Sequence, residues 1–86
     1  MNRSDVLHIA DSLINGDRAR DYGDAKENFT AIAQMWSAYL GTEVTARDVA
    51  MCMALLKAAR LRLAPHADSE VDGAAYFALA SELGDT

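Results

Sequence analysis

TARDVAMCMALLKAARLRLAP, residues 45–65, decides the fold class. Val49, Met53, Leu56 and Leu63 recur at steps of four, three and seven, which lays them along one side of an α-helix. Thr45 predicts the N-cap, because its hydroxyl can accept a free N–H of the first turn. Asp48 falls where the positive end of the helix dipole favours an acid. Pro65 predicts the stop, since a helix interior does not accept proline cheaply. Cys52, inside the apolar run, reads as a small core residue.

The same grammar extends in both directions. Upstream, Phe29, Ile32, Trp36 and Leu40 share a side of a second helix that ends at Gly41, with Asp24 and Glu27 spaced as a capping box at its start. Before it, Ser4 is the expected N-cap of a helix striped by Val6, Ala10, Leu13 and Ile14 and stopped at Gly16. Downstream, Asp68 or Ser69 is expected to open a last helix running to about Leu83. No alternating run supports a strand. The expectation is one all-α domain over residues 1–86, a compact bundle of about four helices.

Composition narrows the function classes. The chain has 86 residues, a net charge of −5 and a hydrophobic fraction of 51%. An acidic balance argues against broad nucleic-acid binding, which needs a basic face. A single cysteine excludes an intrachain disulfide and offers no metal-ligand pair. Neither a membrane-length apolar stretch nor a signal-like start is visible, so a soluble, cytoplasmic protein without membrane partners is expected. A domain this small has limited room to hide Tyr39, Met51, Leu61 and Phe77, which predicts a homo-oligomer, most simply a dimer. His8 and His66 lack ligand spacing and read as surface or hydrogen-bonded structural residues.

The candidate chemistry concentrates in GDRARDYGDAKENF, residues 16–29. This connection and helix start holds three of the eight cations and four of the thirteen acids. A plain helix connection does not need that density, and loops are where ligand-binding side chains gather. Arg18, Tyr22, Lys26 and Asn28 are the candidates there, with Asp24 as the cap that positions them. On the third helix, Lys57 and Arg60 bring two cations onto an apolar face and need acids, a ligand or water. Asp68 and Asp72 are four apart, and Asp72 lines up with Tyr76, Leu79 and Leu83. Asp72 could therefore serve as counter-ion to Lys57 or Arg60, and an internal ion-pair network is the alternative to a ligand site.

These blocks, followed by IAQMWSAYLG, DVAMCMALLKAARL and DSEVDGAAY, resemble a family of small phage and prophage proteins of unassigned function. That family is loosely grouped with the MazG-like nucleotide pyrophosphohydrolases, which are all-α, oligomeric and magnesium-dependent. The resemblance covers about Leu13 to Leu83. Its pattern falls on Arg18, Tyr22, Gly23, Asp24, Asn28, Asp48, Lys57, Arg60, Asp68, Asp72 and Tyr76, and it implies the cytoplasm of an infected or lysogenic bacterium.

The pyrophosphohydrolases hold magnesium on closely spaced helical carboxylates that organise a water nucleophile. Here the second helix offers only Glu27 near its start and the third only Asp48. The expectation is a protein that binds a phosphorylated nucleotide, or a nucleotide-derived signal, without cleaving it, in a role that could counter host defence. Its contacts would be Arg18, Tyr22, Lys26, Asn28, Lys57 and Arg60, oriented by Asp24, Asp48, Asp68, Asp72 and Tyr76. No catalytic residue, metal or cofactor is expected. Two alternatives stand beside it, a divergent magnesium-dependent pyrophosphohydrolase and a protein-interaction module.

Overall fold

The computed structural model describes residues 1–16 and 25–84. Among them are four helices and no strand: α1 (Arg3–Asn15), α2 (Ala25–Leu40), α3 (Ala46–Arg60) and α4 (Ala67–Glu82). The all-α expectation therefore holds, and the ends of the helices show why.

Thr45 caps α3 as its sequence predicts. The Asp48 N–H donates to Thr45 Oγ1 at 3.0 Å, and the Thr45 N–H donates to Asp48 Oδ2 at 2.9 Å. This reciprocal pair satisfies two donors that the first turn leaves without partners. Gly41 ends α2 with φ 70°, a left-handed conformation that a Cβ would strain. Ser37 completes the corner. Its hydroxyl accepts the Val44 N–H at 2.8 Å and lies 2.7 Å from the Ala33 carbonyl oxygen.

Three boundaries differ from expectation. α1 begins before Ser4, because Asn2 and Asp5 form their own capping box, with Asp5 N–H to Asn2 Oδ1 at 2.8 Å. α3 ends at Arg60 rather than at Pro65, since the Leu61 N–H turns back to the Ala58 carbonyl and tightens the last turn. α4 opens at His66 rather than Asp68 or Ser69: the imidazole Nδ1 accepts the Ser69 N–H at 3.2 Å and sits 2.8 Å from Ser69 Oγ. Ser69, 1% exposed, is thereby satisfied inside the domain.

α4 is the shared wall. α3 and α1 both pack against it, and α2 packs against α3. The apolar interior is divided accordingly. One cluster joins Phe29, Ala33, Ala46, Val49, Ala50, Ala80 and Leu83, with Ile32, Trp36, Met53 and Leu79 half-buried around it. The other joins Ala10, Val71 and Ala75, with Val6, Leu13 and Ile14 alongside. The stripe expected on α1 is thus the one it uses, but the helices do not close around a single core.

The orientation of α3 is the main correction. Its buried residues are Ala46, Val49, Ala50 and Ala54, and Lys57 is half-buried beside them. Cys52 is exposed rather than a core residue, Leu56 is 46% exposed and Leu63, beyond the helix, is 91% exposed. Small side chains let two helix backbones approach closely, so the alanine side of α3 faces inward while larger apolar residues are left outside. Arg47, on the first turn of α3, reaches the end of α4, where its guanidinium donates to the Ala80 carbonyl at 2.8 Å. That cation answers the negative end of the α4 dipole.

Candidate functional site

Because α1 and α2 each use other helices as partners, an open groove of about 880 Å³ separates them. Its sides come from Leu7, Ala10, Leu13 and Ile14 on α1 and from Asn28, Phe29, Ile32 and Trp36 on α2. Val49 and Met53 of α3, with Tyr76 and Leu79 of α4, close the inner wall. Phe29 and Tyr76 meet edge to face across the α2–α4 junction, with ring centroids 6.3 Å apart and planes at 75°. That geometry matches positive ring edge to negative ring face and holds both rings in place at the groove wall.

The polar lining is selective. Asp11, Asp72 and Glu82 supply carboxylates, and Asn15 and Asn28 supply amides. Asn15 donates its side-chain amide to Asp11 Oδ1 at 2.8 Å, one turn back on α1. Asp72 pairs with Lys57 at 3.1 Å, the two side chains being 36% and 15% exposed. The described lining contains no lysine or arginine. Asn15 and Ala25, which both line the groove, are the last residue of α1 and the first of α2, on either side of the connection 16–24.

The residues expected to form a site separate into groups. Asn28, Asp72 and Tyr76 line the groove, and Lys57 reaches it through Asp72. Lys26 is exposed on the first turn of α2. Arg60, on the last turn of α3, and Asp68, on the first turn of α4, are exposed and do not line the groove. Asp48 is the capping partner of Thr45. Arg18, Tyr22, Gly23 and Asp24 lie outside the described residues. Of the two cations proposed as partners for Asp72, the structure chooses Lys57, because Lys57 shares the inward side of α3 with Ala50 and Ala54 while Arg60 does not.

Sequence reading missed the contribution of α1. Asp11 and Asn15 are four apart and therefore share a face, a signal available from spacing alone. What spacing could not show is that this face borders an opening. A magnesium site of the pyrophosphohydrolase kind has no match in these positions: among the described residues, no group of three or more Asp, Glu, His or Cys could hold a metal ion. Nor is any described helix long and apolar enough to cross a membrane.

Comparison with known proteins places the chain. It belongs to the family described as a domain of unknown function, DUF6378, which matches residues 5–84. It is 48% identical over 80 residues to the "Gene 55 protein" of Mycobacterium phage L5, covering 91% of this chain and 51% of that protein. It is 43% identical over 72 residues to the "Gene 55 protein" of Mycobacterium phage D29, covering 83% of this chain and 48% of that one. The chain thus spans about half the length of these curated relatives, which are phage proteins. No solved structure matches it.

Proposed function

We propose that this DUF6378 domain binds a small phosphorylated nucleotide in the α1–α2 groove and holds it without cleaving it. The observation that carries the reading is the position of Asn15 and Ala25. Both line an aromatic-walled groove, and they are the helix ends between which the chain runs through Arg18, Arg20 and Tyr22. Base and phosphates are then handled by different parts of the chain. Apolar and aromatic surface at Ile32, Trp36 and Tyr76 accepts the flat base, while Asn28 and the acids of the lining meet its polar edge. Arg18, Arg20 and Lys26 answer the phosphates, arginine with paired hydrogen bonds and lysine as a point charge. Lys57 serves by holding Asp72 rather than by touching phosphate. In a phage setting, such a protein would withhold a nucleotide or nucleotide-derived signal from a host defence system.

A second reading, a divergent MazG-like pyrophosphohydrolase, draws on the carboxylates of Asp11, Asp72 and Glu82 in the same groove. The described positions supply no metal group, so no hydrolytic step is derived from them.

Calorimetric titration with a panel of nucleoside mono-, di- and triphosphates, with and without magnesium, tests both readings. Binding without turnover is expected, and Arg18→Ala should weaken it about tenfold, the loss of roughly 1.4 kcal/mol of charge-assisted hydrogen bonding. No binding across the panel would reject both. Magnesium-dependent pyrophosphate release that Asp72→Asn abolishes would put the second reading in place of the first.

A further inference from the structure

We infer that the outward side of α3 is a self-association surface on which a second copy of this chain docks, with the two α3 helices antiparallel. Cys52, Leu55, Leu56 and Ala59 follow one another at steps of three, one and three, so they form one stripe along the helix. All four are exposed, Leu55 at 61% and Leu56 at 46%, and Leu63 extends the stripe beyond the helix end at 91%. Single exposed leucines are ordinary, but an apolar stripe over two successive turns of a helix is less so. α3 therefore carries two apolar sides, one filled by alanines against its own domain and one on which Leu55 and Leu56 stay exposed, outside both core clusters.

Charge selects the occupant. The exposed charges at the start of α3 are Glu43 and Asp48, with Asp48 one turn before Cys52 on the leucine side, and those at its end are Arg60 and Arg62. Arg47 is engaged inward with the Ala80 carbonyl and Lys57 with Asp72. Arg62 donates its Nε–H to the Ala59 carbonyl at 3.1 Å and Asp48 Oδ2 accepts the Thr45 N–H, which anchors these two charges at the ends of the helix. A surface acidic at one end and basic at the other is complementary to itself once turned end for end, which is the demand of a two-fold interface. An axis passing between Leu55 and Leu56 sets Leu55 against Leu56 of the second copy and Cys52 against its Ala59. It also brings Asp48 beside Arg62 of that copy. The opposed helix dipoles favour the same orientation. The groove between α1 and α2 lies on the inward side of α3, where Val49 and Met53 line it, so pairing leaves it open in both copies.

Register makes the inference testable. Helix axes about 9–10 Å apart, with Cα atoms about 2.3 Å from each axis, bring facing Cα atoms within roughly 4.4–5.4 Å. That range suits a disulfide. Cys52 and its own counterpart would be separated by about 10 Å along the axis at 1.5 Å per residue, so the natural chain should not cross-link. The experiment has three arms on the full chain. Sedimentation at tens of micromolar should show a dimer. Leu55→Asp should give a monomer with unchanged helicity, because Leu55 is 61% exposed and belongs to neither core cluster. Ala59→Cys, mildly oxidised, should form a cross-linked dimer several-fold faster than the natural sequence. A monomeric natural chain, a Leu55→Asp variant that stays dimeric, or an Ala59→Cys variant that cross-links no faster would each overturn the inference. Nucleotide titration of the Leu55→Asp monomer separates this surface from the groove, whose binding does not require the pair.

Discussion

The alanine-lined side of α3 and the gap between α1 and α2 lie on the same interior and answer opposite demands. Ala50 and Ala54, 0% and 1% exposed, let helices approach until no side chain can be added. Across the groove, α1 and α2 carry larger residues, yet each is committed to a different neighbour, and about 880 Å³ stays open. Close packing comes from the small residues here, and open space from large ones that have no facing helix. The difference teaches that apolar content does not mark where a domain is densest. Partner geometry does.

Enlarging a residue on each side should break the comparison if it is wrong. Ala50→Leu adds three heavy side-chain atoms where none fit, and overpacking of this kind costs about 1–3 kcal/mol or more. The thermal midpoint should fall by on the order of 10 °C for a domain of this size, read by circular dichroism. A midpoint unchanged within about 2 °C would mean that the alanine side is not close-packed.

The Lys57–Asp72 pair lies between the two regions and should give an intermediate effect. Solvent reaches Asp72 more than Lys57, so the pair is worth less than a buried one and more than a free surface pair. Lys57→Ala should lower the denaturant midpoint by the equivalent of about 1 kcal/mol. A double-mutant cycle with Asp72→Asn should recover most of that as coupling, and additive losses would remove the pair from the account.

The smallest effect on folding is expected at the groove. Asn28→Leu should leave stability within about 0.5 kcal/mol, the usual range for a substitution on an open surface. It should nevertheless reduce nucleotide retention in a native mass spectrum. Loss of stability comparable to that of Ala50→Leu would show that the groove side is packed in solution.

Local signals were legible wherever the physics is local. Thr45 with Asp48, Gly41 after Leu40 and the stripe Val6–Ala10–Leu13 all act within about four residues, and each does in the structure what its spacing predicts. His66 was harder to read because an imidazole cap serves the same backbone N–H as a hydroxyl without belonging to the usual set. Of the candidate site, Asn28, Asp72 and Tyr76 could be named from sequence, whereas Asp11 and Asn15 acquire meaning only beside the opening.

By itself, then, the amino-acid sequence determined that this protein is helical, one end of each of its four helices, and which segment carries the excess charge. Tertiary structure alone decided which side of α3 faces inward, which cation meets Asp72 and that α1 and α2 stand apart. The reason is one of range. Capping and periodicity are settled between residues a turn apart, while the rotation of a helix depends on how closely another backbone can approach it. For α3 that favoured alanines over leucines, and no pattern within the helix records the choice.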